Sequence, residues 1–288
     1  MTSDVIRQLQ VLDGKWYVDA TFGQGGHTQA ILQKHGNVIA FDFDTQAITS
    51  GQEKFSKYIN DHRLILVREN FNQLAREVQK IQKEQNITEI DGVVFDLGTS
   101  TEQLMAEGRG FSFDGDGPLD MRLDERLGVS AADLLAVLSE KDLIYMFQEF
   151  GGEREAKSIA RTIVDQRKLN AITTTKQLSD LVSRVKREKT KLHPATKVFQ
   201  ALRIVVNDEI ANVESSLPQA LEVVKAGGRI VTIAFHQGED KVSKTFFRQW
   251  EAENNGKSVF KKPLVPSELE IKNNPRSRSA KMRVFEKQ

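Results

Sequence analysis

The chain has 288 residues, 39% of them apolar and 28% charged, with a formal net charge of +1. That balance belongs to an ordinary globular protein and excludes a disordered or fibrous chain; the length suits one large domain or a domain carrying an insertion. There is no cysteine, which excludes a disulfide framework, a thiolate metal site and a cysteine nucleophile. With no signal pattern and no apolar run near ~18 residues, a cytosolic location is expected.

Residues 4–12 read as a short amphipathic helix leading into the stretch YVDATFGQGGHTQAIL (17–32), around which the chain is organised. Tyr17 to Ala20 read as a short buried strand, Gly23, Gly25 and Gly26 as a turn, and a helical pattern opens at Thr28. Strand, glycine turn and helix is how an open α/β sheet offers backbone N–H groups to a ligand at the carboxyl end of its first strand. Asp42 closes a second strand, Val38 to Phe41. An acid ~20 residues past the first glycine is placed to accept from the two hydroxyls of a ribose. The spacing G-x-G-G-H lacks the third glycine of a dinucleotide site, which favours a nucleoside cofactor without a pyrophosphate, such as S-adenosylmethionine. An NAD-dependent dehydrogenase is correspondingly disfavoured.

A helix over 44–55, a strand over 63–68, a helix over 73–85 capped by Asn72, and a strand over 91–96 continue the alternation and predict a parallel sheet. From about 105 to 205 the periodic segments turn helical: 130–137, 139–150, 153–168, 175–187 and 195–215. Strands return at 229–235, after the Gly227-Gly228 turn, and at 280–286. The pattern predicts an α/β domain (1–104 and 206–288) split by an all-helical insertion (105–205).

Asp96 reaches the carboxyl end of the fourth strand, where it could orient a substrate amine, contact the cofactor or accept a proton. The run RGFSFDGDGPLDMRLD (109–124) has no usable period, and its ordering entropy looks too large for core burial alone, a hint of function. His193-Pro194 opens a helix, with the histidine a weak cap. His236 adds a polar group after the fifth strand. Arg184, Lys186, Arg187, Lys189 and Lys191 form one basic cluster; Lys272, Arg276, Arg278, Lys281 and Arg283 form a second. Such clusters are either solvated faces or a track for phosphates. No metal-ligand spacing is seen, so no metal is expected.

Taken together, DATFGQGGHT, FDFD, DGVVFDLGTS, RGFSFDGDGPLDMR, HPATKVFQALRIVVNDE, GGRIVTIAFH and NPRSRSAKMRV closely resemble the bacterial RsmH (MraW) family. Those enzymes methylate the exocyclic N4 of a cytidine in the decoding region of 16S ribosomal RNA. The resemblance runs over nearly the whole chain. It implies a class I S-adenosylmethionine-dependent methyltransferase with a Rossmann-like sheet, cofactor contacts from Gly25, Gly26, His27, Asp42, Phe71, Asp96 and Gln103, and the small ribosomal subunit as partner. Asp96 is then the first candidate to hold the amine, with His236 and Asp120 behind it. The target base must leave its stack, and the candidate RNA contacts are Arg184, Lys186, Arg187, Lys189, Lys191, Arg276 and Arg278. The chain departs from the family pattern in lacking an H-x-P-V-L-L segment before the first helix and in reading FHQGEDK for F-H-S-L-E-D-R. These departures leave a catalytically weak RNA-binding assembly protein as the alternative. The resemblance leaves open whether the chain is a monomer or a homodimer.

Overall fold

The computed structural model describes residues 1–99, 108–113, 115–186 and 193–288. The chain divides into two compact units, one made of 1–98 and 210–288 and the other of 99–209.

The first unit is built on a seven-stranded sheet: β1 (Trp16–Asp19), β2 (Asn37–Phe41), β3 (Leu64–Val67), β4 (Ile90–Asp96), β5 (Val224–Ala234), β6 (Gly256–Ser258) and β7 (Lys281–Lys287). Their order across the sheet is β3-β2-β1-β4-β5-β7-β6. The first five strands pair in parallel, and β7 runs antiparallel to both β5 and β6. The direction of winding reverses between β1 and β4, and at such a switch point the carboxyl ends of the strands leave a crevice for ligand.

Side chains alternate along each strand, so the sheet carries apolar residues on both faces. On one face Val18, Ile39, Phe41, Val93, Phe95 and Ile230 pack with Leu74 and Val78 of α5 (Leu74–Gln85), Val213 and Leu217 of α11 (Glu209–Val223), and Trp250 of α12 (Gln237–Ala252). On the other, Tyr17, Val38, Ala40, Val94, Val231 and Met282 meet Val5 and Leu9 of α1 (Thr2–Leu9) and Ile31 of α2 (Gly26–Gln33). Helices α3 (Thr45–Lys54), α4 (Ser56–Asn60) and α13 (Glu268–Asn273) complete the unit.

Some local expectations are corrected. Asn72 does not cap α5: the Asn70 side chain accepts from the Asn72 N–H and opens a single 3-10 turn, Phe71–Gln73, while the Asn72 amide bonds Asn212. β5 starts before the two glycines and absorbs them through an irregular register opposite Ile90 and Gly92. β6 has no counterpart among the expected strands, because three residues Gly-Lys-Ser carry no apolar period.

The second unit holds α6 (Ala131–Val137), α7 (Glu140–Glu149), α8 (Ala156–Leu169), α9 (Thr175–Val185) and α10 (Thr196–Val206). The single helix expected over 195–215 breaks after Val206, where Asp208 takes a left-handed conformation (φ 49°). Asn207 is used instead as a clamp: its side chain accepts from Leu123 N–H and donates to Met121 carbonyl oxygen. Among the described residues of the aperiodic run 109–124, Phe111, Leu119, Met121 and Leu123 are buried. Gly110 (φ 78°) is required there, since a Cβ would lie 2.5 Å from the Pro118 carbonyl oxygen.

Candidate active site

The turn after β1 is set by two aromatic rings. Phe22 and Phe55 meet edge to face, 5.9 Å between centroids, and leave no room for a side chain on Gly25, whose Cβ would lie 2.6 Å from Phe55. Gly25 takes φ 73° and caps α2 without a side-chain hydrogen bond. Gly23 and Gly26 face open space. The turn thus brings bare backbone and a helix N-terminus to the crevice, an arrangement suited to a polar ligand.

Asp42 lies across from this turn. Its Oδ2 accepts from the Gly23 N–H and its Oδ1 from the Asp44 N–H, each at 2.9 Å. Burial pushes the carboxyl up to about 6, and the bonds from Asp44 and Gly23 only partly oppose this. Each oxygen keeps a further lone pair for a hydroxyl donor. Phe71 follows β3, half-buried and edge-on to Phe95 at 5.9 Å.

A hydrogen-bonded chain spans the switch point. Asp19, fully buried at the end of β1, accepts from the Thr28 hydroxyl at 2.7 Å and from the Thr21 N–H at 3.2 Å. The Thr21 hydroxyl accepts from the Asp96 N–H at 2.7 Å. His27 Nε2 lies 3.1 Å from Asp96 Oδ2. Burial pushes the His27 imidazolium down, but the hydrogen bond and charge of Asp96 and the charge of Asp19 outweigh it, and the net shift is upward. Burial likewise pushes the Asp19 carboxyl up, against the pull of His27 and Thr28. Among the described residues, His27 Nδ1 and Asp96 Oδ1 are buried without a hydrogen-bond partner. Two such groups, one able to donate and one to accept, are costly unless a ligand completes them. Asp19, Thr21 and Thr28 were missed as site residues from sequence; the available signal was an acid inside the buried run Tyr17 to Ala20.

His236 belongs to the same unit. It is the N-cap of α12, its Nδ1 accepting from the Gly238 N–H at 3.2 Å, and its Nε2 lies 3.2 Å from Glu239 Oε1. Nδ1 is thus taken up in a capping box, while Nε2, like His27 Nδ1 and Asp96 Oδ1, is buried without a hydrogen-bond partner among the described residues. Asp120 lies in the helical unit and is gripped by Arg122, with Nε on Oδ1 and Nη2 on Oδ2, both at 2.7 Å. That pairing holds its carboxyl below the usual range. Gln103, Arg187, Lys189 and Lys191 lie outside the described residues. Arg184 is exposed in the last turn of α9. Lys186 is not exposed to phosphate: its ammonium is 2.9 Å from Glu153 and 3.2 Å from the Pro194 carbonyl oxygen, with both charged side chains under 5% exposed (4% and 2%). Arg276 and Arg278 sit on the exposed 3-10 turn Pro275–Ser279 of the sheet unit, whereas Lys281 and Arg283 pair with Asp240.

The strand order with its antiparallel seventh strand, the glycine turn after β1 and the acid after β2 define a class I S-adenosylmethionine-dependent methyltransferase. The residues present fit that cofactor: a carboxylate for its ribose, open glycines, and partnerless His27 and Asp96 atoms for its polar amino-acid end or for the group it methylates. The model of the MraW methylase family matches residues 1–288, and the chain belongs to that family. A ribosomal RNA small subunit methyltransferase H from Coprothermobacter proteolyticus is 41% identical over 273 residues, covering 94% of this chain and 89% of the relative. The protein of that name from Oenococcus oeni is 39% identical over 302 residues, covering 98% and 95%. The solved structure of an rRNA methylase from Streptococcus thermophilus aligns at 12% identity over 99% of this chain and 94% of that one. Its TM-score of 0.47 is too low to argue from. Among the described residues, no helix is long and apolar enough to cross a membrane.

Proposed function

We propose that this protein methylates the exocyclic N4 amine of a cytidine in the decoding region of 16S ribosomal RNA, acting on the small subunit in the cytoplasm. The observation that carries the chemical assignment is the His27–Asp96 pair at the switch point, with Oδ1 of Asp96 buried and partnerless.

S-adenosylmethionine supplies an electrophilic sulfonium methyl that needs no further activation. Asp42 would accept from the ribose hydroxyls, and the α2 N-terminus with His27 would receive the anionic amino-acid end. The remaining difficulty lies with the nucleophile, because the N4 lone pair is delocalised into the cytosine ring. Oδ1 of Asp96 accepts one N4–H, which pulls the amine toward a localised lone pair and fixes its direction of approach. When N4 takes the methyl, the bond from that carbon to sulfur would break, leaving a neutral thioether, and the N4 proton would pass to Oδ1. His27 on Oδ2 keeps Asp96 in one orientation, and alignment of the reacting atoms supplies much of the rate. The helical unit, about residues 105–205, serves to recognise the RNA around the target.

The test is methyl transfer from radiolabelled S-adenosylmethionine to small subunits lacking this modification. Label should appear at a cytidine N4, and Asp96→Ala should lower the rate by about 10²–10⁴-fold. Cofactor binding with no label in any ribosomal particle would make this a binding protein and not an enzyme.

A further inference from the structure

The helical unit contains an aromatic column that the methyl-transfer chemistry does not use. Phe199 of α10 is buried. Phe113 meets it edge to face, centroids 5.6 Å apart and planes at 89°. His193 then stacks on Phe113, centroids 4.3 Å apart and planes only 13° from parallel. His193 is exposed and Phe113 half-buried, so the column is rooted in the core and ends in a flat ring at the surface.

The terminal ring is also fixed in rotation. His193 Nδ1 accepts from the Ala195 N–H at 3.2 Å, just ahead of α10. Pro194 follows at once, and its carbonyl oxygen is held by the buried ammonium of Lys186. An exposed aromatic side chain would ordinarily be free to turn; this one is locked at both its ring and its backbone. A rigid, flat, partly polar surface of this kind presents a π-face at little further entropic cost. Unstacked nucleobases are bound on such surfaces, largely without regard to base identity.

We infer that the Phe113–His193 stack is a platform on which an unpaired base of the RNA substrate continues the column. This rests on the reading above that the substrate is RNA, and it assigns His193 a role in holding RNA, not in chemistry. A base displaced from its stack to expose a cytidine N4 leaves at least one neighbour without a stacking partner. His193 offers that partner.

The probe is a short single-stranded RNA carrying one pyrrolocytidine, whose fluorescence is quenched by stacking. Wild-type protein should quench it, and His193→Ala should weaken binding by about 10-fold, as expected for one lost base–aromatic contact. His193→Phe should bind and quench like wild type. Both variants lose the bond to the Ala195 N–H, so a difference between them reads the ring face and not the local fold. Cofactor affinity should be unchanged in both. Wild-type binding by His193→Ala, or a His193→Phe variant as weak as His193→Ala, would overturn the platform. A wild-type protein that binds and quenches this RNA but methylates no ribosomal particle would overturn the enzymatic reading and leave the platform standing.

Discussion

The Thr21 hydroxyl accepts the backbone N–H of Asp96 at 2.7 Å, tying the turn after β1 to the end of β4. Asp19 accepts from the Thr21 N–H, so one threonine holds two acids on adjacent strands in a fixed relation. Thr21→Val keeps the shape and removes the acceptor. It should cost about 1–3 kcal/mol in stability, read by urea denaturation, because a part-buried N–H is left without a partner. The methyl-transfer rate should fall more than cofactor affinity, as Asp96 loses its position.

The proposed ribose contact of Asp42 predicts that cofactor affinity depends on pH. In the role proposed for it, the ribose hydroxyls would donate to the ionised carboxylate, which burial pushes up to about 6 in the free protein. Affinity measured by calorimetry should therefore be steady above neutrality and fall by up to about tenfold per pH unit below 6. Asp42→Asn should bind weakly and show no such slope.

The same group has the opposite sign for the stability of the free protein. Its folded value of about 6 lies above the ordinary 3.8. The neutral form is favoured by folding, so its contribution is complete below about pH 4 and lost as pH rises through 6, by about 3 kcal/mol. Thermal unfolding of the free protein should show this loss. Saturating cofactor should reduce it.

The buried pair of Lys186 and Glu153 predicts a large stability effect. Lys186→Met should cost about 3–5 kcal/mol by leaving Glu153 uncompensated, and the double variant Lys186→Met/Glu153→Leu should regain most of it. The salt dependence of RNA binding should hardly differ between wild type and the double variant. A slope reduced by a full phosphate contact would return Lys186 to the RNA surface.

Asp120→Asn tests the clamp against a catalytic role. Both Asp120 and Arg122 side chains are 30% exposed, so solvent screening limits the loss to about 1 kcal/mol. The pH profile of the methyl-transfer rate should keep its shape. Loss of its acidic limb would mark Asp120 as the proton acceptor.

The sheet was legible because its strands are short apolar runs closed by acids and glycines, a signal that does not depend on distant residues. The places of Asp42 and Asp96 are legible for the same reason, since the carboxyl end of a parallel strand is a position in the sequence as well as in space. Charges in the helical stretch were not. Lys186 reads as one of five neighbouring cations, and nothing local announces that its partner is Glu153, 33 residues earlier. His236 reads as a ligand-edge histidine because capping depends on the Glu239 side chain turning back on it. Asp19 is hidden in the sequence because a strand of four residues reads by its apolar members.

The central pairing of β4 with β5 joins strands separated by the whole of residues 99–209. For folding, this is the most expensive loop in the molecule, and a flexible one would delay the closure of the sheet. A helical unit that forms early from its own local contacts shortens that loop before the strands meet. The order of events in refolding should then run from the insertion to the sheet, so that the unit added to the methyltransferase frame becomes the condition for completing it.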